Sequence, residues 1–141
     1  PDLELIPWRS DRLVAFCAPD HPQAKQTLLK DKDILENRWI VREAESGTRQ
    51  TFNQAMAGLL HRLDVYLELD HNEAIKRAVE AGLGLGCMSE IAVEGNFKNG
   101  DLVPLTLQHR ALRRQFFFVL NKRRVKTAAM QQWMDLCIHS A

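Results

Sequence analysis

Two short polar clusters, Ser46-Gly47-Thr48-Arg49 and Asp70-His71-Asn72, hold most of the groups able to grip a ligand. Each follows a run with strand composition, Trp39–Glu43 in the first case and Val65–Leu69 in the second, and each opens a stretch with helical spacing. A helix N-terminus presents unpaired amides and a partial positive charge, so a small anion is the natural guest at both places. The hydroxyls of Ser46 and Thr48 and the carboxamide of Asn72 can orient such an anion. Arg42, Arg49 and His71 add positive charge, while Asp70 and Glu73 oppose it. A plainer reading stands beside this one. Ser46, Asp70 and Ser89 are ordinary N-cap residues, and Arg49 can equally be a solvated position on a helix surface.

Other candidate chemistry is thinner. Cys17 and His21 form the nearest thing to a catalytic dyad, but Pro19 separates them and the thiol sits in an apolar run that would raise its pKa. Neither an oxyanion site nor an orienting third group accompanies them, so the sequence predicts no enzyme. His61, His109 and His139 stand alone, without a second ligand at metal-binding spacing, and no cofactor motif is present. Gly84 and Gly86 open no long helix and read as packing glycines, not a phosphate loop. Arg110, Arg113, Arg114, Lys122, Arg123, Arg124 and Lys126 crowd the last third of the chain. A nucleic-acid patch is one reading of them; with a net charge of only +1, a solvated hairpin or helix start is the better one.

These residues need elements to hold them. Leu3–Trp8 and Arg12–Ala18 have strand character, and Pro19-Asp20-His21-Pro22 breaks regular structure. Leu28–Asn37 is a short charged helix candidate. From Gly47 to Leu60, apolar residues recur at Phe52, Ala55, Met56, Leu59 and Leu60, the stripe of an amphipathic helix capped by Ser46. Val65, Leu67 and Leu69 alternate with Tyr66 and Glu68, as a strand requires. Asp70 and Glu73 are in capping-box register for a helix that ends at Gly82. Gly84–Met88 is a short buried strand, Ser89–Lys98 a helix, and Leu102–Leu107 and Gln115–Leu120 are strands. A last helix spans Val125–Ile138. Helices and strands alternate from residue 39, which argues for an α/β fold with a mostly parallel sheet.

A chain of 141 residues with 45% apolar and 26% charged side chains fits one soluble globular core. No apolar run approaches the roughly 18 residues that span a bilayer. No export signal is visible. The three cysteines, Cys17, Cys87 and Cys137, lie in apolar stretches and read as buried free thiols in a reducing, cytoplasmic setting.

Four stretches, in order, resemble the effector-binding domain of LysR-type transcription regulators. They are Asp11-Arg12-Leu13-Val14 with Pro19-Asp20-His21-Pro22, and Trp39–Glu43 with Ser46-Gly47-Thr48-Arg49. The others are Glu73-Ala74-Ile75-Lys76 with Val79–Gly86, and Asn99-Gly100-Asp101-Leu102-Val103-Pro104-Leu105. The resemblance covers essentially the whole chain.

That resemblance implies a two-lobed, periplasmic-binding-protein-like fold with a small effector in the cleft. Lobe II is expected complete over 46–112, and lobe I without its first βαβα segment. Residues 1–45 would supply a remnant of lobe I and the first crossover strand (Trp39–Glu45), and 113–141 the second crossover (Gln115–Lys122) and the last helix. The effector contacts would come from Arg42, Ser46, Thr48, Arg49, Asp70, His71 and Asn72. The resemblance further implies a homodimer or homotetramer, paired through Gly47–Leu60 and Val65–Leu69. DNA would be reached only through an N-terminal winged helix-turn-helix that this sequence does not contain. A free-standing periplasmic solute-binding protein is the alternative, against which the unpaired thiols and the missing export signal count.

Overall fold

The computed structural model describes the backbone over residues 3–121 and side chains over residues 12–113. The chain divides into two compact units, Arg12–Arg113 and a smaller one made of Pro1–Asp11 with Arg114–Ala141.

The larger unit is a sheet with helices on both faces. Its strands run β2-β6-β1-β5-β3-β4, where β1 is Leu3–Cys17, β2 Leu28–Leu29, β3 Arg38–Arg42, β4 Asp64–Leu69, β5 Leu85–Ser89 and β6 Val103–Leu107. Strand β7 (Arg113–Asn121) pairs with β1 off this path. Parallel pairing joins β2 to β6, and β3 to both β4 and β5. Strand β1 runs antiparallel between β5 and β6. The sheet is therefore mixed: five parallel strands with one antiparallel strand set among them.

Alternation sorts side chains to two faces. Leu13, Ala15 and Cys17 of β1, Trp39 and Val41 of β3, and Leu85 and Cys87 of β5 share one core with Phe52 and Met56. That face is covered by α1 (Asp31–Glu36) and α2 (Gly47–Ala55). Val14, Phe16, Ile40 and Met88 face the other way, against Ile75 and Val79 of α3 (Asn72–Glu80) and Val93 of α4 (Glu90–Asn99). Trp39 anchors the first core: its ring sits 5.3 Å from that of Phe52, and its indole N–H donates to the Ile34 carbonyl at 2.9 Å. The bond satisfies a polar group that would otherwise be buried unpaired.

Gly86 permits the tight packing expected of it. A Cβ there would lie 2.7 Å from the Phe16 ring and 2.9 Å from Val79 Cγ2, so β5, β1 and α3 meet only because the side chain is absent. Gly82 ends α3 in the left-handed region at φ +83, where the Leu83 amide reaches back to the Ala78 carbonyl.

Several sequence expectations need correction. The two strands expected at Leu3–Trp8 and Arg12–Ala18 are one continuous β1. Leu28 and Leu29 pair as a strand with β6 instead of opening a helix, and α1 begins only at Asp31. Helix α2 stops at Ala55; a short 3-10 turn at Leu60–Arg62 follows, so Met56 and Leu59 are buried from the connection while Leu60 is exposed.

Residues Trp39–Glu45, where the first lobe crossing was expected, hold most of β3 and the start of the loop after it. Strand β3 has a parallel partner on each edge, within the unit Arg12–Arg113. The two compact units divide at Asp11–Arg12 and Arg113–Arg114. The expected helix Val125–Ile138 and the thiol of Cys137 lie outside the described residues.

Candidate functional site

Parallel pairing of β3 with β4 places Arg42 beside Leu69, so both strands end at the same edge of the sheet. The loop after β3 leads into α2 and the loop after β4 into α3, which brings the two polar clusters together. Ligand sites of open α/β sheets lie beyond such strand ends.

Ser46 is the N-cap of α2, its Oγ accepting from the Arg49 amide at 3.0 Å. Thr48 follows in the first turn, partly buried, where the amides of Gly47 and Thr48 have no intrahelical acceptor. Arg42 closes β3. Its Nη1 donates to Asn72 Oδ1 at 3.3 Å, and its Nε and Nη2 donate to the two carboxylate oxygens of Glu43 at 3.3 and 3.0 Å. This guanidinium holds the Glu43 carboxyl below the usual carboxylate range.

Arg49 is not the solvated helix-surface residue that the plainer reading of the sequence allowed. Its residue exposure is only 9%. Nη1 donates to the Arg42 carbonyl at 2.8 Å and to Glu68 Oε1 at 3.0 Å, and Nε donates to Asn53 Oδ1 at 3.1 Å. Arg49 thus ties α2 to the ends of β3 and β4. The sequence left Arg49 open between helix surface and ligand contact, because Glu68 and the Arg42 carbonyl are remote in sequence.

Asp70 and His71 part from the cluster. Both side chains are 80% exposed, and their ion-pair contact at 3.8 Å is with each other. The N-cap of α3 is His71, without a side-chain capping bond, so Asp70 does not cap the helix as its register with Glu73 suggested. Glu73 instead accepts from Lys76 Nζ at 3.1 Å.

Glu43 and Glu68 were missed from sequence. Each partners a site arginine, and the adjacency of Glu43 to Arg42 was the one signal available. Arg42, Ser46, Thr48, Arg49 and Asn72 therefore form one neighbourhood, with Asp70 and His71 at its exposed margin. Two arginines facing two carboxylates leave the neighbourhood close to neutral, and the amides of the α2 first turn remain for an incoming acceptor.

The Cys17–His21 pair does not assemble into a dyad. Cys17 is fully buried, and burial pushes its thiol up to about 11. His21 uses Nδ1 to accept from the Gln23 amide at 2.9 Å, as the cap of a short 3-10 turn. Cys87 is likewise a buried free thiol, pushed up to about 12. Among the described residues no three His, Cys, Asp or Glu side chains converge to hold a metal ion, and no helix is long and apolar enough to cross a membrane.

The pattern of the LysR substrate binding domain matches residues 1–141. The chain belongs to that family. It is 30% identical over 131 residues to the HTH-type transcriptional regulator YeiE of Escherichia coli K12, covering 93% of this chain and 44% of YeiE. It is 37% identical over 123 residues to the HTH-type transcriptional regulator CbbR of Rhizobium meliloti, covering 86% of this chain and 39% of CbbR. The chain thus spans less than half the length of these relatives, which are transcription regulators and not enzymes or transport proteins. Among solved structures, the regulatory domain of Synechocystis PCC6803 CcmR in complex with 2-PG superposes with a TM-score of 0.75 at 25% identity, over 99% of this chain and 67% of that one. The LysR fold expectation holds: a mixed α/β sheet of the kind found in these effector-binding domains.

Proposed function

We propose that this chain is the effector-sensing part of a LysR-type regulator, and that it holds a small anion beyond the ends of β3 and β4. The observation that carries this reading is the joining of Arg42 to Asn72 beside the first turn of α2, where Ser46 and Thr48 place hydroxyls next to unpaired amides. On this reading Arg42, Ser46, Thr48 and Asn72 touch the effector, Arg49 braces them, and Asp70 and His71 tune the field at the rim. The unit Arg12–Arg113 would belong to one lobe of the effector-sensing fold. The ligand shifts the regulator only through its different affinity for two lobe arrangements.

No catalytic step is assigned to the site. DNA would be engaged by a winged helix-turn-helix elsewhere in the regulator, acting in the cytoplasm without a membrane. Self-association as a homodimer or homotetramer would use α2 and β4, because β4 is an edge strand and Tyr66 on it is 45% exposed.

The test is a thermal-shift screen of small metabolite anions, 2-PG among them, on the full-length regulator and on its Ser46→Ala/Thr48→Ala variant. A compound that stabilises the parent and not the variant supports the site. An unchanged response in the variant removes these residues from it. Recovery of the native protein in a periplasmic fraction would favour the transport reading instead.

A further inference from the structure

A cavity lies at the opposite end of α2 from the proposed effector site. It measures about 700 Å3, a size suited to a small molecule. Its walls come from three separate segments: the turn between β2 and α1, the body and C-terminal end of α2, and the loop between β6 and β7. Lys30, Lys32, Arg110 and Arg113 line it, and Asp31 is the sole carboxylate among the lining residues.

That carboxylate is already committed. Arg110 Nε and Nη2 donate to its two oxygens at 2.9 and 3.1 Å, and Arg110 Nη1 donates to the carbonyls of Ala55 and Ala57 at 2.9 and 2.8 Å. Arg110 was grouped from sequence with solvated basic residues. It is instead a built part of the floor, with its side chain 15% exposed. Its bonds also satisfy the carbonyls at the end of α2, which would otherwise present partial negative charge to the cavity.

The remaining cations are not consumed. Lys32 approaches only the exposed Glu36, at 3.9 Å, a pairing of little strength. Lys30 and Arg113 are exposed, as is His109, which also lines the cavity. His109 is held at φ +61, a conformation costly for a residue with a side chain. Arg62 lies close enough to act on Asp31 as well. Gln54 and Gln108 complete the walls with amides able to donate.

We propose that this cavity is a second ligand site, distinct from the helix-end site, and that it takes a small polyanion carrying phosphate or several carboxylates. Excess positive charge on converging segments suits a compact anion. An extended nucleic-acid backbone would need a linear basic stripe, and the chain as a whole carries a net charge of only +1. Lys30 and Arg113 supply charge-assisted contacts, and the amides of Gln54 and Gln108 fix orientation.

The test is calorimetric titration of the full-length protein with inorganic pyrophosphate and with citrate at constant ionic strength. The variants are Lys30→Gln/Arg113→Gln and, at the other end of α2, Thr48→Ala. The proposal expects a pyrophosphate-binding step that weakens at least about tenfold in the double variant, with an unchanged unfolding midpoint because both side chains are exposed, and that same step persists in Thr48→Ala whatever happens at the helix-end site. Binding of pyrophosphate alone would mark a phosphate-bearing ligand; binding of both would mark charge as sufficient. No binding to the parent, equal binding to the double variant, or a single binding step that is lost on Thr48→Ala and kept in the double variant would overturn the site. Tighter binding of a short DNA duplex, lost in the double variant, would overturn it in favour of a nucleic-acid surface.

Discussion

Arg42 and Asn72 are thirty residues apart in sequence, yet Arg42 Nη1 donates to Asn72 Oδ1 across 3.3 Å and joins the end of β3 to the start of α3. The bond is possible because β3 and β4 are parallel neighbours in register. It places a cation and a carboxamide together at the strand ends that lead into α2 and α3.

The first prediction concerns that cation. Arg42→Gln keeps a donor but removes the charge, and its side chain is only partly buried. Effector affinity in the full-length regulator should fall about tenfold or more, while stability changes by about 1 kcal/mol or less. Parallel ligand titration and urea denaturation separate the two effects. Equal affinity in parent and variant would take Arg42 out of the site.

Arg49 should behave in the opposite way. Removing it leaves the Arg42 carbonyl and Asn53 without their donor, so Arg49→Met is expected to cost about 2 kcal/mol. Glu68 is half exposed and recovers water, which limits the loss. Lysine should restore little, since one ammonium cannot reproduce the fork that reaches Asn53, Glu68 and the Arg42 carbonyl together. A midpoint unchanged in urea would show that the three bonds contribute nothing net.

Two glycines make a matched pair. Gly86→Ala drives a Cβ into the Phe16 ring and Val79, and should destabilise by about 1–3 kcal/mol. Gly95, inside α4, has open space within 4 Å of the point an alanine methyl would occupy, so Gly95→Ala should stabilise by about 0.5–1 kcal/mol. Thermal melts of the two variants should move in opposite directions.

Cys17 and Cys87 should resist thiol reagents in the native state at pH 8 and react on unfolding. The same burial gives a pH dependence of known sign. Below about 9, the ordinary thiol value, both states hold the proton and the stability is fully present. As pH rises, the unfolded thiols ionise first, so stability falls from about 9 through the folded values of about 11 and 12. Rapid native labelling of either thiol would contradict the burial.

The helix stripe of Phe52 and Ala55, the strand Trp39–Glu43, the alternation over Val65–Leu69 and the stop at Gly82 were all legible in the sequence. They follow from local periodicity and backbone chemistry, which need no knowledge of neighbours. The motif order also placed the chain among LysR effector-binding domains. Ser46 as a cap was readable for the same local reason.

What the tertiary structure alone decided is which groups meet. Asp70 looked like a cap and is a solvated neighbour of His71, because α3 starts one residue later than its register suggested. Arg49 was open between helix surface and ligand contact and is a buried brace; Arg110 looked solvated and binds Asp31 together with the end of α2. In each case the deciding partner lies many residues away, across a strand pairing or helix packing. Periodicity reports which face of an element is buried. It carries no information on which remote carboxylate or carbonyl waits there, and that pairing determined the role of both arginines.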